Sequence, residues 1–333
     1  MMDHALLARV ADLYYLQDLT QQAIAERLGL SRPTVSRLLR RARAEGVVRI
    51  EVARAPEAYP KLARALERRG VREAVVVEAA ADPAVTRAAV GRAGAALLVR
   101  LLRPGMRLGI SWGRSVAAVV EALPAQRRVP VELVPLVGGV GQVRSEIHAN
   151  DLVRRAAAAL GGRVTLLHAP AVAAHPRVRQ ALLSDPAIRR VLDLARRADV
   201  ALVGIGAPVP SSTLVESGYF SAADLAALRR RGAVGDVCTR FFTAEGRPAA
   251  PELEARTVAV TLEELRRLTT VVAVAAGTEK ARAIAGAVRG GLVDVVVTDH
   301  RTAAAVVEVL GGRDTAAGGG RRDPGPAGAG GDR

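Results

Sequence analysis

Residues 20–44 read TQQAIAERLGLSRPTVSRLLRRARA, and their spacing decides the fold of the N-terminal part. Thr20 is a natural N-cap for a helix over Gln21 to Leu28, and Gly29 stands where that helix must end. Ser31 caps a following helix whose first turn accepts Pro33 and which runs to about Ala44, ending at Gly46. Ala25 is small enough to sit where the two helices cross. Ile24, Leu28, Leu30, Val35 and Leu38 supply the apolar seam between them. Small residue, turn glycine and five apolar positions agree over twenty residues, the pattern of a helix-turn-helix. The alternative, a short helical bundle with a solvated basic face, explains the charge but not the turn chemistry.

The second helix would then lie with its N-terminal residues in the major groove of double-stranded DNA, while the preceding helix crosses the backbone. Ser31, Arg32, Thr34 and Ser36 are placed to reach base edges or nearby phosphates. Arg37, Arg40 and Arg41 are better placed to hold phosphates. Seven arginines against the single acid Glu45 lie between Arg27 and Arg49. That local patch says more than the formal charge of +15. Only Lys61 and Lys280 are lysines, so the bulk charge also fits an arginine-rich codon usage.

Upstream, a helix around Leu6 to Leu16 places Leu6, Val10, Leu13 and Leu16 on one face. Downstream, Val47 to Val52 reads as a strand leading out. We expect a helix-turn-helix domain over 1–55, a linker over 56–60 marked by Pro56 and Pro60, a larger domain over 61–310, and a disordered Gly/Pro/Ala/Arg tail over 311–333.

The larger domain alternates short apolar runs with Ala-rich helical stretches. Strands are expected at Ala74–Val77, Arg107–Ile110, Glu132–Leu136, Val164–Leu167, Val200–Ile205, Thr257–Val260, Val271–Ala275 and Val293–Thr298. Helices fall between most of them, such as Ile147–Leu160 and Glu279–Val288. Fully apolar strands separated by helices predict an α/β fold with a parallel sheet covered on both faces. Aromatics are only 2% of the chain, so this core is packed from Ala, Val and Leu. No apolar run reaches the roughly 18–20 residues a membrane span needs. Asp3 stands where a signal peptide would be positive, so a cytoplasmic chain is expected. The single cysteine, Cys238, offers no internal disulfide. His168, His175 and His300 lack metal-ligand spacing, so neither a metal nor a cofactor is expected.

Glycine-bearing segments close several strands. Leu108 to Ser115 (LGISWGRS) follows a strand and opens a helix, where backbone N–H groups can face an anion. Gly138, Gly139 and Gly141 end the next strand, and Gly204 and Gly206 another, without a dinucleotide fingerprint or a P-loop. Lys280 is a lysine in a chain that otherwise uses arginine. A compact ammonium serves phosphate as a point charge or meets a carbonyl as an amine; an exposed lysine at a helix start is the plain alternative. Asp236 lies in an apolar, glycine-containing stretch. It is either a turn residue before a strand or a buried carboxylate needing a partner, for which Arg240 is a candidate. Trp112 suits core packing about as well as ligand contact.

With these segments in view, the chain resembles the SorC family of sugar-responsive regulators, grouped with the deoxyribonucleoside and central glycolytic gene repressors. The segments that carry the resemblance are GISWGRS, PLVGGVG, the HAN at His148 to Asn150, VGIGAP, AVGDVCTRFF, AAGTEKARAIAGAV and DVVVTDHRTA. The resemblance implies an N-terminal all-α head and an effector domain similar to sugar-phosphate isomerase and CoA-transferase-like folds. It also implies a phosphorylated sugar as inducer and a homo-oligomer, dimer or tetramer. By motif, Gly113, Arg114 and Ser115 would cradle the phosphate, Trp112 would line the pocket, and Asp236 would accept from sugar hydroxyls. Lys280 would meet the charged or carbonyl end, His148, where relatives often carry glutamine, would make a polar contact, and Asn150 would brace its loop. Thr278 replaces a glycine common in the family. An enzyme of sugar-phosphate isomerase type carrying a DNA-binding head is the second reading, with Asp236 and Lys280 in acid–base roles. A protein-interaction head around a metabolite store is the third.

Overall fold

A computed structural model describes residues 2–48, 59–124, 128–139, 145–210, 212–216 and 218–312. The chain divides into two compact units, Met1–Arg54 and Ala55–Arg333.

The first unit holds α1 (Met2–Tyr15), α2 (Gln21–Leu28) and α3 (Arg32–Ala44). Local chemistry sets each boundary. The Thr20 hydroxyl accepts from Ala23 N–H, and Gly29 takes the left-handed conformation at φ 67° with its N–H on the Ala25 carbonyl. The Ser31 hydroxyl accepts from Thr34 N–H. Leu7, Val10 and Leu13 of α1 pack with Ile24, Ala25, Val35, Leu38, Leu39 and Ala42 in one core. Leu28 and Leu30 are half-buried against it. Leu16 departs from expectation: it lies beyond the end of α1 and is 79% exposed, and Leu7 fills the face instead. Val47 and Val48 form a bend rather than a strand, and the rest of the expected 47–52 strand lies outside the described residues.

The second unit opens with α4 (Pro60–Glu67), so Pro60 starts a helix rather than closing a linker; residues 56–58 lie outside the described residues. There follow β1 (Glu73–Val77), α5 (Pro83–Leu101), β2 (Arg107–Ile110), α6 (Arg114–Glu121), β3 (Glu132–Pro135), α7 (Ala149–Leu160) and β4 (Arg163–Val164). Next come α8 (Pro176–Ser184), α9 (Pro186–Ala195), β5 (Val200–Gly204), α10 (Thr213–Glu216), α11 (Ala222–Arg230) and the pair β6 (Gly235–Val237) and β7 (Arg240–Phe242). The chain continues through α12 (Pro251–Glu254), α13 (Leu262–Arg266), β8 (Val271–Val274), α14 (Ala281–Arg289), β9 (Val295–Asp299) and α15 (His300–Gly311). Short 3-10 turns, Ser145–Ile147 and Thr278–Lys280, precede α7 and α14. α15 runs through Gly311, the first residue of the tail expected over 311–333, and residues 313–333 lie outside the described residues.

Seven strands form one wholly parallel sheet in the order β1-β9-β8-β5-β2-β3-β4. Successive residues of one strand enter opposite apolar layers. Ala201 and Val203 pack with one, Val200 and Leu202 with the other, and Val271 and Ala273 alternate with Val272 and Val274 in the same way. Both faces are therefore dry, which is why these strands read as continuous apolar runs.

Two of the expected strands need correction. Residues 257–260 are not a strand but an irregular segment making isolated bridges, Val172 to Thr257 and Val137 to Ala259. The strand expected at Val164–Leu167 stops at Val164, because the Asn150 side chain takes both backbone groups of Leu167, at 3.0 and 3.1 Å. The hairpin β6–β7 was not anticipated. Its two-residue turn is Cys238-Thr239, both at positive φ (51° and 63°), where Asn-Gly is the recognisable signal.

Candidate functional site

Parallel strands send all their carboxyl ends to one edge, and the order reverses between β5 and β2. Strands after β2 extend towards β4, whereas β5, β8 and β9 extend towards β1. A crevice forms at such a switch point. Here it is a cavity of about 410 Å³. Its walls come from the segments that leave β1, β2, β5, β8 and β9, together with the β6–β7 hairpin.

Trp112, Gly113, Arg114, Ser115, Asp236 and Lys280 all line this cavity, so six of the seven expected effector residues are brought together. His148 is not among its lining; it stands at the N-cap of α7. Asn150 acts on the Leu167 backbone, outside the lining.

Gly113 takes φ 117° at the N-cap of α6 and offers no capping side chain. The first-turn N–H groups of α6 therefore remain open to an anion, reinforced by the helix dipole. Ser115 is buried in that turn, and Arg114 is exposed and pairs with Glu216 at 2.5 Å. The Trp112 indole N–H donates to Thr239 Oγ1 at 3.2 Å, tying the β2 end to the strained hairpin turn.

Asp236 is 5% exposed and its Oδ1 has no hydrogen-bond partner among the described residues. Burial pushes its carboxyl up to about 7, against the pull of Lys280 and a backbone bond at Thr239. Arg240 is not its partner. That guanidinium is 1% exposed and donates to the carbonyls of Glu254, Thr257, Ala259 and Val260, and to the Glu254 carboxylate at 2.6 Å. It holds the irregular 257–260 segment in place of a strand neighbour. Gly206 explains how Asp236 fits. The two residues exchange backbone bonds of 3.0 and 3.1 Å, and a Cβ at 206 would stand 2.0 Å from Oδ1.

The Lys280 ammonium makes no hydrogen bond or ion pair among the described residues; burial lowers its pKa, while Glu279 and Asp236 raise it. A buried carboxylate with an empty acceptor beside an unpaired ammonium suits a neutral, hydroxyl-rich ligand body carrying an acidic end. No group of three or more His, Cys, Asp or Glu able to hold a metal occurs among the described residues.

Sequence reasoning missed Thr239, Arg87 and Ser212, whose buried hydroxyl has no partner among the described residues and which also lines the cavity. Arg87 carries no signal in an arginine-rich chain. Arg301 lies within the DVVVTDHRTA segment but was not singled out; it too lines the cavity.

In the first unit, Arg32, Arg37 and Arg40 are exposed and unpaired among the described residues, whereas Arg41 is bonded to Glu45. The Ser31 hydroxyl is engaged with Thr34 N–H and, at 2.8 Å, with Thr34 Oγ1. Ser36 is half-buried. No helix among the described residues is long and apolar enough to cross a membrane.

A helix-turn-helix unit and a parallel-sheet unit with an anion-suited cavity together define a ligand-responsive DNA-binding regulator. Residues 56–308 match the Sugar-bind family of sugar-binding domains, and residues 4–55 match a Crp-like helix-turn-helix domain. The chain is 34% identical over 307 residues to the sorbitol operon regulator of Klebsiella pneumoniae, covering 90% of this chain and 97% of the relative. It is 33% identical over 302 residues to the deoxyribonucleoside regulator of Bacillus subtilis, covering 90% and 96%. The crystal structure of the full-length Klebsiella regulator SorC superposes with a TM-score of 0.70 at 34% identity, covering 92% of this chain and all of that one. The chain belongs to the SorC-type family of sugar-binding transcriptional regulators.

Proposed function

We propose that this regulator binds operator DNA through α3 and that a phosphorylated sugar in the cavity governs the binding. The observation that carries the ligand side is the convergence of three features on one cavity. These are the open first turn of α6 at Gly113–Ser115, the buried Asp236 with its vacant Oδ1, and the unpaired Lys280. The phosphate sits on the α6 turn beside Ser115, sugar hydroxyls donate to Asp236, and Lys280 neutralises charge. Trp112 and the Cys238–Thr239 turn close one wall.

On the DNA side, Arg37 and Arg40 hold phosphates while Arg32 and Ser36 face the groove. The protein acts as a homo-oligomer that presents paired recognition helices ~34 Å apart, or a multiple, to successive major grooves. The effector acts by its differential affinity for two arrangements of the subunits. Asp236 and Lys280 hold the ligand without turning it over.

Two variants separate the roles. DNA duplexes selected from a random library by the full-length chain serve as operator, and a panel of sugar phosphates is screened by melting temperature. Arg37→Ala should weaken DNA binding and keep the ligand-induced rise in melting temperature. Lys280→Ala should keep DNA binding and lose the response to ligand. Loss of the same property in both variants refutes this division of labour, and conversion of the ligand to a new compound refutes the non-enzymatic reading.

A further inference from the structure

Tyr59 opens α4 without the usual chemistry of a helix start. An N-cap is normally Ser, Thr, Asp or Asn, whose side chain accepts a first-turn N–H. Tyr59 makes no such bond. Its ring instead stacks on the His300 imidazole, with centroids 4.4 Å apart and planes 17° from parallel. Aromatics are only 2% of the chain and most of the core is filled by Ala, Val and Leu, so filling space did not require a ring here.

His300 belongs to the first turn of α15, and consecutive residues of that turn reach three different places. Asp299, the N-cap, accepts from Gly277 N–H at 3.3 Å, and Thr302 Oγ1 accepts from the same N–H at 2.9 Å. Gly277 starts the 3-10 turn that carries Lys280, whose backbone N–H donates to the Gly277 carbonyl at 3.0 Å. His300 Nδ1 accepts from Ala79 N–H at 3.0 Å. That loop, between β1 and α5, is held on its other side by the Thr86 hydroxyl, which accepts from Ala80 N–H at 2.9 Å. Arg301 completes the set. Ala79, Ala80, Gly277, Lys280, Asp299 and Arg301 all line the effector cavity, whereas Tyr59 and His300 do not.

Tyr59 is also where the chain coming from the head enters the first helix of this unit. Residues 45–58 run from the end of α3 to Tyr59, and 49–58 of them lie outside the described residues. The Tyr59 carbonyl accepts from the N–H groups of Leu62 and Ala63, both at 3.1 Å, so its backbone is fixed to α4. Ala63 and Leu66 of α4 share a core with Ala303 and Val306 of α15. A ligand seated against the Lys280 turn, Ala79 and Arg301 therefore bears on one helical turn. That turn presents a single ring to the residue leading back towards α3.

We propose that the first turn of α15 relays occupancy of the cavity to the DNA-binding head, with the Tyr59–His300 stack as its last contact. This rests on the reading above, that a ligand in the cavity governs DNA binding, and names the residues that carry the coupling. Tyr59 and His300 are positioning residues: they act on the backbone direction at Tyr59, not on the ligand. Coupling between distant sites requires an element with two arrangements that both sites bias. Here the two arrangements are the ring pair closed and the ring pair parted, and the Ala79 bond to Nδ1 sets which is favoured.

The test measures the affinity of the full-length chain for a selected operator duplex with and without saturating ligand. Glucose 6-phosphate, fructose 6-phosphate and ribose 5-phosphate are the probes. The ratio of the two affinities is the coupling, ordinarily about 5–150-fold. In Tyr59→Leu the ratio should fall to within about twofold of unity, while affinity for the sugar phosphate alone stays within about twofold of the parent. Tyr59→Phe keeps the ring and should keep the parent ratio. His300→Phe keeps a ring against Tyr59 but removes Nδ1, and it should lose most of the ratio with ligand affinity intact. Should Tyr59→Leu show no cooperative melting, His300→Phe decides alone. A parent-like ratio in Tyr59→Leu or His300→Phe, a ratio lost equally in Tyr59→Phe, or ligand affinity lost in a folded variant overturns the relay and leaves the phosphorylated-sugar reading standing. If no probe alters the operator affinity of the parent, both fall together.

Discussion

Asp236 shows what one side chain costs and does in this protein. Its carboxyl is buried, pushed up to about 7, and its Oδ1 has no partner among the described residues. A carboxyl raised in the folded state binds a proton that the unfolded chain, with a pKa near 3.8, has already lost. Its contribution to stability is therefore full below about pH 4 and is lost as pH rises towards 7. At 1.36 kcal/mol per pKa unit the swing is about 4 kcal/mol. Asp236→Asn should remove this fall. Urea unfolding across pH 4–8 should give the variant a flatter stability profile and a higher midpoint than the parent at pH 7, together with loss of effector response. An unchanged pH slope would mean that Asp236 titrates normally. Arg240 is the opposite case, a buried charge whose donors are engaged. Arg240→Met would orphan the carbonyls of Ala259 and Val260 and leave Glu254 without its hydrogen-bonded partner, while Thr257 O keeps its bond from Arg179. A loss of about 3–5 kcal/mol in urea unfolding is expected, and Arg240→Lys should restore less than half of it, because one ammonium cannot replace the guanidinium fork.

Among elements, the β6–β7 hairpin sets the site. Its turn holds Cys238 and the β-branched Thr239 at positive φ, a conformation that costs of order 1–3 kcal/mol for such residues. The turn has a use: Thr239 receives the Trp112 indole N–H, and Cys238 lines the cavity, its thiol pushed up to about 12 by burial. Replacing Cys238-Thr239 by Asn-Gly supplies residues made for this turn. Stability to urea should rise by ~1–2 kcal/mol, below the full strain because the indole bond is lost. Effector affinity should fall at the same time. A variant both more stable and equally tight would show the turn to be incidental. The helices of the head need no such explanation, since Thr20, Gly29 and Ser31 end and begin them by bonds within four residues.

For the whole molecule, charge location matters more than the net +15. Binding to DNA releases counterions, so log affinity falls with log salt in proportion to the phosphates contacted. Arg37→Ala should reduce that slope by about 1 and weaken binding to specific and non-specific duplexes alike. An unchanged slope would take Arg37 off the phosphate backbone. Lys280→Ala, in the effector cavity, should leave this slope unaltered.

The helix-turn-helix was legible because its determinants are local: caps, a turn glycine and an apolar seam that repeats every three or four residues. The parallel sheet was legible because strands covered on both faces must be apolar throughout, and the glycine segments at Ser111–Ser115 and Gly204–Gly206 marked their ends. The strand at 257–260 misread because an apolar run looks the same whether a neighbouring strand or the Arg240 guanidinium satisfies its carbonyls. Asp236 was given the wrong partner for the same reason: adjacency in sequence placed Arg240 beside it, while the hairpin sends the two side chains to different neighbours. Arg87, Asp236 and Arg301 span more than two hundred residues of chain, and only the strand order brings them to one cavity. Short-range bonding and periodicity are written in the order of the residues. Which strand ends become neighbours depends on how the two apolar faces of the sheet are covered, and that is settled only when the chain packs.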